Sequence, residues 1–278
     1  MKKIRRKALY CLACLALIWL GWQVAQRLVI LYPSRQTGAT PKDYGVAFIE
    51  QWIDAPAGGG TRAGRVQVWW IPAANASAPA VLYLHGNEST MSTDIGLILS
   101  LRQAGFSVMA IDYRGYGESA LRLPSETSVY IDAGLGWLHF LELTPQASKR
   151  LLYGHSMGSA IAIDLAGRAN RLDGLIVDGA FTSAADVGRA MTVNWLPLAS
   201  LLRQKFLSQD KIEDLKMPQL FIHCTADEVI PVDLGLRLYG LSQAPKQQLL
   251  IEGGDHDHCY RAAPQRWRQA IRKMGGMD

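Results

Sequence analysis

A serine flanked by two glycines has the spacing of a reactive nucleophile. Gly154, Ser156 and Gly158 lie between residues 150–153, a mostly apolar run that predicts a buried strand, and residues 159–166, which predict a helix. A serine at a strand-to-helix turn adopts an unfavourable backbone conformation close to neighbouring chain, so the positions two before and two after it must be small. The turn also brings the hydroxyl near the positive end of the following helix, where developing negative charge is favoured. We therefore expect Ser156 to act as a nucleophile.

A serine nucleophile needs a histidine base and an acid that orients this base. One predicted strand ends shortly before Asp227 and a later one ends shortly before His256, so we expect these residues to be the acid and the base. Asp178, at the end of an earlier predicted strand, is a competing acid, and His258 is a competing base. A structural role is preferred for the histidines within or at the ends of predicted core elements, namely His85, His139, His155 and His223.

The reaction also needs donors that hold an oxyanion, and main-chain N–H groups commonly supply them. Met157 follows the nucleophile directly, so its N–H is one candidate. The strand predicted at residues 80–84 runs into Gly86, which allows a tight turn, and then into Asn87, whose N–H is the second candidate. Substitution of either side chain should therefore act through the geometry of the backbone.

The elements that would position these residues alternate between strand and helix along the chain. Such alternation is typical of one α/β domain with a mainly parallel sheet, and residues 33–278 have a suitable length. Among the predicted elements are a strand at 46–52 and helices at 93–104, 125–143 and 264–274.

Residues 182–214 follow the strand that ends at Asp178 and are the candidate segment for a lid over the active site. Apolar side chains occur there near helical spacing, and they fit a small lid and one ordinary helix packed on the sheet equally well. They are Trp195, Leu196, Leu198, Leu201, Leu202 and Phe206.

Five motifs together resemble the successive signatures of α/β-hydrolase-domain serine hydrolases. They are residues 84–87, 112–119, 154–158, 227–231 and 255–257. The similarity runs from about Tyr44 to the C-terminus and points to a small-cap, often membrane-anchored branch that includes depalmitoylating thioesterases and serine-aminopeptidase-like domains. The chain departs from this pattern at His223-Cys224, where the family usually has His-Gly before the acid loop. In residues 112–119 we expect a loop tied down beside the active site, with Arg114 held by carboxylates.

The resemblance implies a mainly parallel sheet flanked by helices, a small cap and a catalytic triad. It gives the nucleophile, acid and base roles to Ser156, Asp227 and His256. It gives the oxyanion amides to Asn87 and Met157.

The N-terminus carries five basic residues followed by an uncharged apolar run. Residues 8–25 contain no charge, and eighteen residues are enough to cross most of a bilayer. Trp19, Trp22 and Tyr32 suit the far membrane interface, and the preceding basic residues favour a cytoplasmic N-terminus. We expect residues 1–32 to form a cytoplasmic tip and an uncleaved signal anchor, a single transmembrane helix with the catalytic domain on the extracytoplasmic side, periplasmic or lumenal. A cleaved signal peptide is the alternative, although no convincing small-x-small site follows the run.

The net charge of +5 and the pI of about 9.0 come from this N-terminus. The six basic residues up to Arg27 leave 29 − 6 = 23 Lys and Arg against 24 acids, a balance of −1. The basic pI therefore gives no support to nucleic-acid binding.

Two cysteines follow predicted core strands whose loops should be neighbours. We expect Cys224 and Cys259 to be buried free thiols, with a disulfide as the alternative in an oxidising compartment. The Cys and His spacings suggest no zinc site, and we expect neither a metal nor a cofactor.

These features predict a membrane-anchored serine hydrolase that cleaves carboxylic esters or thioesters through an acyl-enzyme on Ser156. The expected substrate is a small-molecule or lipid-like acyl ester, because a tethered domain meets lipid-borne substrates. A peptidase or amidase of the same fold is one alternative, and it would need a way to protonate a poor amine leaving group. A non-catalytic scaffold at the membrane is the alternative from another class, and the complete set of triad candidates argues against it.

Overall fold

The computed structural model describes residues 2–58, 60–191 and 201–277. Its strands are β1 Ile49–Ala55, β2 Gly64–Ile71, β3 Ala80–Leu84, β4 Ser107–Asp112, β5 Arg150–His155, β6 Gly174–Asp178, β7 Gln219–Cys224 and β8 Lys246–Ile251. They form one sheet in the order β1-β2-β4-β3-β5-β6-β7-β8. β2 is antiparallel to both of its neighbours, and the pairs from β4 through β3 to β8 are parallel. The predicted, mainly parallel sheet is confirmed.

Helices cover both faces of this sheet, which is why its central strands are rich in apolar residues on both faces. The helices are α1 Lys2–Ile30, α2 Ile95–Gln103, α3 Glu126–Leu143, α4 Met157–Ala166, α5 Ala184–Ala190, α6 Gln209–Ile212, α7 Val232–Leu241, α8 Cys259–Ala262 and α9 Pro264–Met274. Apolar side chains of α3, α4 and α7 pack in the core on one face, and those of α2 and α9 pack in the core on the other. The pattern explains why β3, β4, β5 and β6 are buried along their whole length.

The carboxyl ends of the parallel strands meet at one edge of the sheet. Loops that follow β3, β5, β7 and β8 carry Asn87, Ser156, Asp227 and His256. Because parallel strands all end at the same edge, residues far apart in the sequence are brought together there.

The N-terminal helix α1 is long and apolar enough to cross a membrane. An 18-residue window within its segment Arg5–Ile30 has a mean hydropathy of 1.8, and a signal sequence near an N-terminus can reach the same value. The last turns of α1 contact the folded domain: the main-chain N–H of Arg203 donates to Gln26 Oε1 at 2.7 Å. Directly after the helix, Leu31 is buried in the core, and its carbonyl oxygen accepts a hydrogen bond from Tyr116 Oη. The helix is therefore joined to the domain by packing as well as by the chain.

The segment predicted as a lid or an ordinary helix contains α5 and α6. Of its predicted apolar residues, Trp195, Leu196 and Leu198 lie outside the described residues. Phe206 is buried beside the ring of Tyr130, with the ring centroids 5.9 Å apart, whereas Leu201 is exposed.

Candidate active site

Ser156 occupies a strained turn between β5 and α4. Its backbone has φ 54° and ψ −122°, a left-handed conformation that is costly for a residue with a Cβ, and its side chain is 4 % exposed. The N–H of Ser156 donates to the carbonyl oxygen of Asp178 at 2.8 Å, which ties the turn to the neighbouring strand β6. A Cβ at Gly154 would overlap the carbonyl oxygen of Gly158, and one at Gly158 would overlap that of Leu84. The close approach explains why both flanking positions are glycine.

Asp227 and His256 form a hydrogen-bonded pair. His256 Nδ1 lies 2.7 Å from Asp227 Oδ2. The other carboxylate oxygen, Oδ1, accepts the main-chain N–H groups of Val229 at 2.9 Å and Ile230 at 2.7 Å. These two amides fix the rotamer of the acid, so that Oδ2 faces the imidazole.

A second histidine also reaches the acid. His223 Nε2 lies 2.9 Å from the carbonyl oxygen of Ile230 and 3.4 Å from Asp227 Oδ2. Burial by itself raises the pKa of Asp227, but hydrogen bonds from His223 and His256 outweigh it and lower that pKa well below its ordinary value. Asp227 is therefore an anion at any pH at which the protein would work.

The imidazole of His256 is held from two sides. His155 Nε2 lies 3.0 Å from the carbonyl oxygen of His256, and the two rings are 5.0 Å apart at their centroids. On another side lies Gly179, with φ +60°, where a Cβ would stand 3.0 Å from His256 Cε1. His256 Nε2 is buried and makes no hydrogen bond within the described parts of the chain. This nitrogen is the atom that a base would use.

Ser156 and His256 line one cavity of about 300 Å³. Its other lining residues are Gln36, Asn87, Glu88, Ser89, Thr93, Asp94, His155, Val229, Asp257 and His258. Asp227 is not among them, so the acid is shielded from a bound ligand. Five of them belong to none of the sequence motifs, and for that reason the sequence did not indicate them: Gln36, Glu88, Ser89, Thr93 and Asp94.

The loop after β3 passes directly over the nucleophile. A Cβ at Gly86 would stand 3.0 Å from Ser156 Cβ, so the main chain that leads to Asn87 lies against the serine. The side chain of Asn87 points elsewhere, with Nδ2 donating to the carbonyl oxygen of Ile30 at 3.3 Å. Met157 is the first residue of α4. If Asn87 and Met157 donate hydrogen bonds beside the serine, they must therefore do so through their main-chain N–H groups.

The structure gives the competing acid and base other partners. Asp178 Oδ2 accepts a hydrogen bond from Tyr153 Oη at 2.6 Å, and burial raises the pKa of this carboxyl. His258 is exposed, and its Nδ1 lies 3.1 Å from Asp255 Oδ1. Asp227 is thus the carboxylate that hydrogen-bonds to His256.

The loop after β4 is fixed by buried charged groups, as expected for residues 112–119. Arg114 Nε donates to Asp132 Oδ1 at 2.7 Å, and both side chains are buried. Asp112 Oδ1 accepts the N–H of Met91 at 2.8 Å and lies 3.5 Å from His85 Nε2. Burial raises the pKa of Asp112 to about 7 and lowers the pKa of His85 to about 4. His85 is therefore uncharged at neutral pH and has the structural role that was expected.

The expectation of two free thiols is wrong, because Cys224 and Cys259 form a disulfide. Their Cα atoms lie 5.5 Å apart, since the end of β7 and the start of α8 meet at the same edge of the sheet. The bond joins the loop of Asp227 to the loop of His256.

Three side chains beside the serine could together contact a metal ion. Ligand atoms of His155, His256 and Asp257 lie within 4.8 Å of one another. Because His256 Nδ1 faces Asp227, a metal here would have to take His256 Nε2, the nitrogen that a base needs.

Comparison with known proteins supports a hydrolase. The family model described as serine aminopeptidase, S33, matches residues 75–212. An uncharacterized protein of Mycobacterium tuberculosis is 32 % identical over 261 residues, which cover 91 % of this chain and 89 % of the relative. Lysophosphatidylserine lipase ABHD12 of Xenopus tropicalis is 29 % identical over 67 % of this chain, and the match spans 52 % of that lipase.

A solved structure shows the same fold. An esterase of Pyrococcus furiosus superposes with a TM-score of 0.70 and 20 % identity, over 87 % of this chain and 96 % of the esterase. At that identity the likeness concerns the fold alone. The family model, the Mycobacterium tuberculosis relative and the shared fold agree with the motifs around Ser156. The chain therefore belongs to the α/β-hydrolase serine hydrolases and has the α/β-hydrolase fold.

Proposed function

We propose that the protein is a membrane-anchored serine esterase or thioesterase that forms an acyl-enzyme on Ser156. One observation carries the proposal: the strained Ser156 and the Asp227-bound His256 line the same cavity. A nucleophile, a base and an orienting acid are the parts that acyl transfer by a serine requires. The esterase and lipase among the similar proteins support the choice of an ester bond.

In the first half of the reaction, Ser156 Oγ attacks the carbonyl carbon of the substrate, and its proton passes to His256 Nε2. The oxyanion that forms accepts hydrogen bonds from the main-chain N–H groups of Asn87 and Met157. Collapse of this intermediate breaks the bond to the alcohol or thiol, which leaves with the proton from His256. The acyl group remains on Ser156.

In the second half, His256 Nε2 takes a proton from water, and the resulting hydroxide attacks the acyl-enzyme. Collapse releases the carboxylic acid, and Ser156 Oγ recovers its proton from His256. Asp227 keeps the Nδ1–H tautomer of the imidazole and stabilises its charged form in both halves. Its depressed pKa supports this role, because the acid stays ionised throughout.

We also propose that α1 anchors the enzyme and that residues 33–278 form the hydrolase domain on the extracytoplasmic side. The basic residues before the apolar run support a cytoplasmic N-terminus, and the disulfide supports an oxidising compartment for the domain. The small lid at residues 182–214 stays a prediction, because none of the described residues of this segment lines the active-site cavity.

The position of the cavity favours a lipid-like acyl ester as the substrate. Asn87 lines the cavity, and its side chain hydrogen-bonds to Ile30 at the end of α1. An acyl ester at the membrane surface would therefore be within reach of Ser156. The lipase relative, which by its name acts on a lysophospholipid, supports the same substrate class.

The test is labelling of the full, detergent-solubilised chain with a fluorophosphonate probe. We expect Ser156→Ala to abolish labelling and Ser100→Ala to leave it unchanged, because Ser100 lies on α2 outside the cavity and its Oγ donates to the carbonyl oxygen of Gly96 in the same helix. Competition by p-nitrophenyl esters of short and long acids would reveal the acyl preference, and an anilide series would reveal an amidase. Absence of labelling in folded protein would refute the mechanism and favour a non-catalytic scaffold. A membrane-impermeant probe applied to intact cells would test the side of the membrane.

A further inference from the structure

A second cavity, of about 360 Å³, lies beside the end of α1 and is lined by four arginines. They are Arg27, Arg62, Arg114 and Arg122. None of the residues that line it is an acid, and none of them lines the active-site cavity. A concave site with this charge selects for an anion.

Three of the four charges are available to a ligand. Arg114 is buried and paired with Asp132, its Nη2 lying 2.6 Å from Asp132 Oδ1, so this guanidinium is neutralised within the fold. Arg27 is half-buried, and Arg62 and Arg122 are exposed. Like charges gathered around one cavity repel each other, and an anion between them would remove that repulsion.

The loops that carry these arginines are pre-arranged. Arg114 Nη1 donates to the carbonyl oxygen of Arg62 at 2.7 Å, which holds that part of the backbone against the buried ion pair. Arg122 Nη2 donates to the carbonyl oxygen of Ala63 at 3.1 Å and joins the two loops. A guanidinium has five N–H groups, so Arg122 keeps others for a ligand. The cavity would consequently bind an anion with little reorganisation.

Its place along the anchor matches the level of lipid phosphates. Arg27 lies 27 − 7 = 20 residues after Lys7 in α1. At about 1.5 Å per residue this is a rise of about 30 Å, the thickness of the hydrocarbon core of a bilayer. When α1 spans the membrane with its basic residues on one side, Arg27 emerges among the headgroups of the other.

The loop that carries Arg122 has the composition of a membrane-facing segment. Leu121 and Leu123 flank the arginine and are 72 % and 38 % exposed. Both also line the cavity. Exposed leucines beside a guanidinium suit an interface where acyl chains lie next to phosphates.

We propose that this cavity binds the phosphate group of an anionic phospholipid. Guanidinium groups bind phosphate oxygens through paired, charge-assisted hydrogen bonds, which makes arginine better suited to the site than lysine. The lipid would hold the domain in a defined orientation on the membrane. The site shares no residue with the catalytic machinery, so the inference does not depend on the proposed reaction.

The test is native mass spectrometry of the full chain in detergent, with phosphatidylglycerol and phosphatidylcholine titrated separately. We expect phosphatidylglycerol to bind more tightly, and we expect Arg62→Ala/Arg122→Ala to weaken its binding about tenfold or more, because two charged hydrogen-bonding groups are lost. The control is Arg266→Ala/Arg268→Ala, which removes the same charge from exposed positions on α9. Arg62→Lys/Arg122→Lys should fall between the wild type and the alanine variant.

Three outcomes would overturn the proposal. Equal affinity of the alanine variant and the wild type would mean that the lipid binds elsewhere, and an equal loss in the Arg266→Ala/Arg268→Ala control would mean that only total charge matters. A competition arm with inorganic phosphate separates the two sources of the anion: full displacement of the lipid at equal concentration would assign the cavity to free phosphate instead. Thermal unfolding checks that each variant is folded, and Arg62→Gln replaces the double variant if that one is not.

Discussion

Replacing Asp227 with asparagine should disable the proposed base, His256, although the size and shape of the side chain beside it stay the same. The N–H groups of Val229 and Ile230 both point at Oδ1, so the asparagine must keep its carbonyl oxygen there. Its NH2 group then takes the place of Oδ2, 2.7 Å from His256 Nδ1. Two donors cannot face each other at that distance, and Nδ1 must therefore lose its hydrogen. The proton moves to Nε2.

A proton on Nε2 prevents His256 from accepting the proton of Ser156. The wrong tautomer in a triad of this kind lowers kcat by about 10³- to 10⁴-fold, as known from an unrelated serine protease, which corresponds to about 4 to 5.5 kcal/mol of activation free energy. Asp227 does not line the cavity, so KM should change by about twofold at most. The effect should appear in kcat and in the rate of fluorophosphonate labelling to the same extent.

The matched control is Asp255→Asn, which changes the carboxylate of the exposed Asp255–His258 pair. Ester hydrolysis and labelling would be followed for both variants, with circular dichroism and thermal unfolding to verify the fold. We expect the control to keep its kcat within about twofold, because an exposed pair outside the triad has no part in proton transfer. The reasoning is refuted if Asp227→Asn retains more than about a tenth of kcat while folded, or if Asp255→Asn loses as much.

Three further predictions concern the framework of the site. Gly154→Ala should destabilise the fold by about 3 kcal/mol or more, because its Cβ would overlap the backbone of α4, whereas Gly240→Ala, where a Cβ meets no atom within 4 Å, should be tolerated in the same urea titration. Reduction of the disulfide between Cys224 and Cys259, which are 35 residues apart, should lower the free energy of unfolding by about 3 to 4 kcal/mol, measured by denaturation with and without reductant. Four titratable thiols in the untreated, denatured chain, instead of the two of Cys11 and Cys14, would contradict the structure. The pKa of Asp112 is about 7 in the folded protein and 3.8 ordinarily. Between these two pH values the folded state keeps a proton on Asp112 that the unfolded chain has released. The free energy of unfolding should therefore fall as pH rises from about 4 to 7. Asp112→Asn should flatten that part of the pH–stability curve, and an unchanged slope would show that other groups cause it.

Local patterns determined the elements with strong periodicity or clear boundaries. The helices predicted at 125–143 and 264–274 are observed as Glu126–Leu143 and Pro264–Met274, because a capping serine and a proline mark where each begins. The strand predicted at 46–52 is observed as Ile49–Ala55. It lies at the edge of the sheet and is largely exposed, so its hydrophobic pattern defines the ends weakly.

The sequence alone determined the nucleophile motif, since strand, turn and helix are all encoded within a dozen neighbouring residues around Ser156. The sequence favoured Asp227 as the acid but left Asp178 as a competitor, and the tertiary structure decided between them: Asp227 hydrogen-bonds to His256, whereas Asp178 hydrogen-bonds to Tyr153. Such contacts join residues far apart in sequence, and their distances follow from how whole elements pack.

The disulfide and the basic cavity were decided in the same way. The spacing of Cys224 and Cys259 allowed both free thiols and a bond, and only the packing of α8 beside β7 brings their Cα atoms to 5.5 Å. Arg62 and Arg122 have no shared motif and meet because a buried ion pair fixes one loop against the other. Sequence patterns report which residues could react or bind, whereas the distances that make them do so depend on long-range packing, which no local pattern contains.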